Sequence, residues 1–243
     1  MKRYLSVFEI ITRTTIYKVL AILILMVIGE VISLYIAWNQ PLAQVQPNLE
    51  EWIDQSHMLA FFAVAYFLIA KVLSSSIANH GSMESYTLKR LRIPEIRVHI
   101  LQCVYNVLCY VLLWALQLGV MLGASKVYMT YKTNVVLTNQ TVFLAFYRNE
   151  FMHSILPLED VFGWFLILFF IIGTGVLAAV FSRAQRNGKA AWSFVVFLVM
   201  ACCCFPRGLG EEPVLILLIA FVWFIFWVIQ AMLNKGVLED ESE

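Results

Sequence analysis

The chain is predicted to be an all-α polytopic membrane protein, with six transmembrane helices, a leading interfacial helix and both termini in the cytoplasm. Three observations predict this. Hydrophobic residues make up 61% of the 243 positions and charged residues 14%, with a mean hydropathy of +0.80, whereas soluble domains are about half apolar and about a quarter charged. The apolar residues gather into six continuous runs near the roughly 20 residues a helix needs to cross a bilayer, and their lack of alternation argues against a barrel. Lys and Arg collect on alternate connections, as cytoplasmic flanks do.

Residues 1–15 form the leading helix. At about 100° per residue, Tyr4, Leu5, Phe8 and Ile11 fall on one side and Lys2, Ser6, Glu9 and Arg13 on the other, the pattern of a helix lying in the interface. The plainer reading is a basic anchor. The first span, 16–38, is longer than a signal-peptide apolar core and no small-x-small cleavage site follows it promptly, so it is retained. The other spans are 58–73, 100–123, 161–181, 190–205 and 214–233. The second and fifth are short, and are expected to extend into their flanks or to sit where protein neighbours thin the lipid. No repeat, low-complexity segment or second domain interrupts 1–243.

This topology puts Lys2, Arg3, Arg13, Lys18, Lys71, Lys89, Arg90, Arg92, Arg97, Arg183, Arg186, Lys189 and Lys235 on one side. Lys126, Lys132, Arg148 and Arg207 are left on the other. The richer side is cytoplasmic. The net charge of +1 leaves no surplus for a nucleic-acid partner.

Two connections stand out. The cytoplasmic one, 81–97, is the one compact polar insert between apolar runs: Ser82 can cap a helix, Glu84 suits its positive end, Lys89, Arg90 and Arg92 suit its negative end, and Pro94 stops it. On a helical wheel Met83, Tyr86, Thr87 and Arg90 group together, opposite Ser85, Lys89 and Arg92. One face fits a partner's groove and the other suits anionic headgroups or solvent. The plainer reading is a basic loop that only sets topology. The extracellular connection, 125–160, carries Phe143, Tyr147, Phe151 and Ile155 at four-residue spacing, a stripe expected to cap the bundle or rest on the membrane surface. Asn139-Gln140-Thr141 matches a glycosylation acceptor, a tripeptide frequent by chance.

Chemistry is sparse. There is neither a phosphate-cradling Gly-x-x-x-x-Gly-Lys-Ser/Thr loop nor a His-Glu-x-x-His helix, so no catalytic residue and no metal site is expected in this chain. His57 and His153 fall on one side, His80 and His99 on the other, and both pairs read as interfacial or satisfied side chains. Cys103, Cys109 and the triplet Cys202, Cys203 and Cys204 read as small packing residues rather than a disulfide framework. Glu30 is the one acid well inside an apolar run, where an ionisable group costs on the order of 3 kcal/mol. It could pair with a polar group on another helix, receive a substrate cation, carry a proton, or simply hold helices together. Gln102, Asn106 and Gln117 in the third span complete a candidate intramembrane polar site, as interhelical glue or as a pathway.

The layout resembles an ABC-2-type permease, the membrane subunit of an ABC transporter whose ATPase is a separate chain. The match covers nearly the whole chain: the leading helix 2–15, six spans with both ends inside, and a coupling-helix-like insert 82–93 between spans two and three. The resemblance implies pairing with a second permease subunit, identical or homologous, and with ABC ATPase subunits that bind ATP and Mg; the chain itself holds no cofactor. It assigns the ATPase contact to Met83, Glu84, Tyr86, Thr87, Arg90 and Leu91, with a smaller contact at 182–189, and implies export of lipids, glycan-lipid conjugates, peptides or drugs. The connection 125–160 has no folded domain, unlike permeases with large extracellular domains. Two other classes stay open: a non-transporting sensor or immunity protein that recruits a cytoplasmic partner through 81–97, and a secondary transporter driven by ions through Glu30.

Overall fold

Apolar runs long enough to cross a bilayer form helices because a helix satisfies its own backbone, which hydrocarbon cannot do. A computed structural model describes residues 2–39, 48–75, 95–131, 139–186, 195, 198–199, 201 and 219–226. The elements are α1 (Lys2–Trp38), α2 (Leu49–Gln55), α3 (Met58–Ser75), α4 (Glu95–Tyr131), α5 (Asn139–Arg148), α6 (Glu150–Ile155) and α7 (Val161–Arg186). The described residues contain no strand. Four helices are long and apolar enough to cross a membrane, over Thr15–Trp38, Met58–Ser75, Arg97–Thr130 and Val161–Gln185, which marks a membrane protein.

These four correspond to the first four expected spans. The fifth and sixth fall largely outside the described residues, which include helical positions 195, 198–199, 201 and 219–226 of them. The insert 81–97 also lies outside, except for 95–97, which open α4 immediately after Pro94.

The four long helices alternate in direction. Thr15 on α1 donates to the Tyr105 hydroxyl of α4 at 2.9 Å, Tyr66 on α3 donates to Thr174 on α7 at 3.1 Å, and Asn106 on α4 donates to the Gly175 carbonyl of α7 at 3.1 Å. With Trp114 of α4 against Trp164 of α7, ring centroids 6.1 Å apart, these contacts run α1 and α4 one way and α3 and α7 the other. The chain therefore has a base end, where α1 and α4 start and α3 and α7 finish, and an opposite cap end. Helix α7 is the most enclosed, burying Phe170, Thr174, Ala178 and Ala179 completely. Its small residues let α4 come close, a packing mode typical of membrane bundles. Helix α1 is peripheral and leaves Ile24, Leu25, Ile28 and Ile32 exposed.

Three expectations change. Residues 2–15 are continuous with the first span: α1 runs unbroken for 37 residues, about 55 Å, and Phe8 packs edge-on against Tyr105 of α4, centroids 6.0 Å apart. The helix that carries the third expected span, 100–123, runs on beyond it. Hydropathy falls after Gly123, yet α4 continues to Tyr131 because Ala124 and Tyr128 remain buried, with Tyr128 stacked on Trp52 of α2 at 5.7 Å. The second span gains only two residues, to Ser75, and cannot extend backwards, since the turn at Ser56 and His57 joins it directly to α2. His57 takes a positive φ of 52° there, the left-handed geometry that closes a helix end.

Within the connection 125–160, α5 and α6 form a helical cap together with α2. Glu51 accepts from the Asn48 backbone at the start of α2, at 3.2 Å, and Trp52 Nε1 donates to the Leu34 carbonyl of α1 at 3.1 Å. The expected stripe splits in two. Phe151 and Ile155 are buried, but Phe143 and Tyr147 are exposed while Ala145 and Phe146 turn inward. Asn149 causes this: it leaves helical geometry and caps α6, accepting from Met152 N at 2.9 Å, so the phase of the helix restarts. Its Nδ2 also donates to Asp54 of α2 at 2.7 Å, fastening the pieces of the cap together.

Candidate functional site

Helix α4 presents a polar seam to its neighbours. Gln102, Asn106, Tyr110 and Gln117 are spaced by four, four and seven residues, which puts them on one face. All four are buried, Gln102 and Gln117 completely. Each polar group in such a place must find a partner or cost roughly 1–3 kcal/mol. The structure shows which of them do.

Asn106 is satisfied by the Gly175 carbonyl and acts as interhelical glue. Around it lies a set of hydroxyls: Tyr66 donates to Thr174, Thr174 donates back to the Phe170 carbonyl at 2.5 Å, and the Tyr66 and Tyr110 rings lie 5.0 Å apart. Three helices, α3, α4 and α7, are tied at this level. Hydropathy ranks tyrosine and threonine as unremarkable, so Tyr66, Tyr110 and Thr174 escape a reading by charge. The available signal was an aromatic hydroxyl in mid-run and the triplet Gly173-Thr174-Gly175.

Glu30 differs. It is 0% exposed, and it enters the bundle from α1 with Gln117 of α4 as its near neighbour. Gln117 is within reach of the carboxyl, but neither side chain forms a hydrogen bond of good geometry. Gln102, at the base end of the seam, likewise has both amide atoms unsatisfied, and the Ser182 hydroxyl on α7 is unsatisfied as well. The structure thus joins Glu30 to Gln117, gives Asn106 to α7, and leaves Gln102 apart. A carboxyl facing a carboxamide, both with unused hydrogen-bonding capacity, can take a cation, a proton or a polar group of a solute.

Among the described residues no group of three His, Cys, Asp or Glu could hold a metal. His57 is exposed, and His153 sits edge-on to Tyr147, centroids 6.0 Å apart. Cys103 lies 3.8 Å from His99, one helical turn away, and it and Cys109 are free thiols. His80 and the triplet Cys202, Cys203 and Cys204 lie outside the described residues, as do Met83, Glu84, Tyr86, Thr87, Arg90 and Leu91.

Charge separates the two ends of the bundle. Exposed Arg13, Lys18, Lys71 and Arg97, with half-buried Arg183, stand at the base end beside the acid Glu9. The cap end carries Glu50, Glu51, Asp54, Glu150, Glu159 and Asp160 against Lys126 and Arg148. Compared with family models, curated proteins and solved structures, the chain matches none of them.

Proposed function

We propose that this chain is the membrane-embedded permease subunit of an ATP-driven transporter of ABC-2 layout, exporting a lipid, peptide or other hydrophobic compound and coupled to a separate ATPase through 82–93. The observation that carries the reading is the basic base end. Helix α3 finishes at Ser75 and α4 begins at Glu95, so the insert between them emerges where Arg13, Lys18, Lys71, Arg97 and Arg183 gather. By the retention of Lys and Arg on the cytoplasmic side, that end faces the compartment where an ATPase would be found. A rigid helix pair joined through such an insert can convert a push on the insert into movement of α3 against α4. In this arrangement Met83, Glu84, Tyr86, Thr87, Arg90 and Leu91 meet the ATPase, and a second permease subunit completes the path.

The test is hydrolysis by the purified complex. Glu84→Arg and Arg90→Glu should abolish stimulation of ATP hydrolysis by transported compound, or release the ATPase, without altering the thermal stability of the membrane subunit. Unchanged association and unchanged coupling in both variants would overturn the assignment.

A second reading, an ion-coupled carrier, is favoured by one observation: Glu30 is wholly buried and neither carboxyl oxygen is well bonded. Gradient-driven uptake that survives Glu30→Gln rules it out.

A further inference from the structure

Glu30 has no counter-ion at its depth. Besides Glu30, the six apolar runs contain only two charged side chains, Lys18 and Lys71, and they contain no Arg or His. Lys18 is twelve residues back along α1, about 18 Å. Phe61 of α3 lies beside Gly29, which puts Lys71, ten residues further along α3, about 15 Å towards the base end. On α4, Lys126 is nine residues beyond Gln117, about 14 Å towards the cap end.

The other titratable groups on the elements packed against α1 are at other heights or turned away. Tyr66 of α3 is bonded to Thr174. Tyr110 and the titratable side chains before it on α4 are two turns or more below Gln117, the acids of α2 belong to the cap, and His57 and Tyr35 are exposed. An ionised Glu30 would therefore be a lone buried charge, a costly state within a membrane.

Whatever neutralises it must come from outside the apolar runs, and the count of donors and acceptors says what fits. Both carboxyl oxygens of Glu30 and both amide atoms of Gln117 lack a hydrogen-bond partner. An ionised carboxylate only accepts, so it can engage Gln117 Nε2 but leaves Gln117 Oε1 without a donor. One proton on the carboxyl supplies that donor: its O–H donates to Gln117 Oε1, and Gln117 Nε2 donates to the other carboxyl oxygen. The groups are already within reach, so side-chain rotation suffices. A hard metal cation takes about six or more oxygens, which this carboxyl and one amide cannot supply, and the next polar side chain on α1, Ser33, is committed to the Ser56 carbonyl. Glu30 and Gln117 are completely buried and do not line the cleft that opens between α1 and α4 one turn nearer the cap end, so a bulky organic cation has no place beside them.

We propose that Glu30 and Gln117 form a proton-binding site between α1 and α4, in which the protonated carboxyl pairs with the carboxamide. The proposal rests on the ion-coupled reading for any transport, and names the ion as the proton; the site itself does not depend on whether the chain carries a solute.

The test uses the full chain in liposomes. The infrared difference between wild type and Glu30→Gln at neutral pH should contain the C=O band of a protonated carboxyl, lost as the pH is raised. Gln117→Leu, or the less disruptive Gln117→Met if the first does not fold, should move that band to higher frequency, because a carbonyl freed of its hydrogen bond is stiffer. Sodium, potassium or calcium added at fixed pH should leave it unchanged. The proposal falls if the neutral-pH difference shows only an ionised carboxylate, if an added cation removes the band, or if the folded Gln117 variants leave its frequency where it was. Gradient-driven uptake that survives Glu30→Gln removes the carrier reading alone, while the band decides the proton site.

Discussion

Replacing glycine by alanine in a helix normally stabilises it by about 1 kcal/mol, but at Gly175, where the obstacle is backbone, the sign should reverse. At Gly175 of α7 an added Cβ would lie 2.7 Å from Val107 Cγ2, 2.9 Å from Val107 N and 3.1 Å from Val107 Cα. Two of those atoms are backbone, held in α4, and cannot rotate away. The helices must part by several tenths of an ångström, an overpacking cost of about 1–3 kcal/mol. Separation also stretches the Asn106 bond to the Gly175 carbonyl, 3.1 Å long, which is worth about 0.6 to 1.7 kcal/mol between membrane helices. Set against the propensity gain, Gly175→Ala should lose about 1–3 kcal/mol. Gly123→Ala has nothing within 4 Å to meet and should gain up to about 1 kcal/mol. The two variants should differ by about 1–4 kcal/mol in reversible unfolding in mixed micelles followed by tryptophan fluorescence. Equal stability of the two would refute the close approach of α4 and α7.

The cap and the buried acid give two further tests. Asn149→Ala removes the cap of α6 and the bond to Asp54 and should cost about 1–2 kcal/mol; Asn149→Asp keeps the acceptor but sets two carboxylates together, so it should recover little of that loss in the same unfolding assay. Glu30→Leu removes a carboxyl with no well-formed bond and should raise stability by about 1–3 kcal/mol, seen as a higher melting temperature. A fall in stability would mean that Glu30 holds α1 to α4.

Much of the architecture was legible because membrane solvation leaves a strong local signature. Spans at 16–38, 58–73, 100–123 and 161–181 fall within α1, α3, α4 and α7, and Glu30 stood out as an acid among apolar residues. The errors share a cause. Hydropathy ended α4 at Gly123, but the helix continues because Tyr128 has an aromatic partner on α2, and nothing in residues 124–131 announces a partner more than seventy positions away. The stripe from Phe143 to Ile155 assumed one unbroken helix, and a single capping side chain at Asn149 restarted its phase.

The sequence by itself determined the solvent, the four helices and the one intramembrane acid, since hydropathy and length are sums over neighbouring residues and need no knowledge of contacts. Only the tertiary structure decided the fate of the polar residues. Asn106 and Gln102 have the same chemistry, sit one turn apart on α4 and are equally buried. One meets the bare carbonyl of Gly175 across a close helix pair, and the other finds no hydrogen-bond partner. Hydrogen bonding is short-ranged and directional, so its satisfaction depends on what the neighbouring helix presents at that height. The same is true of Glu30 and Gln117, which the fold set face to face.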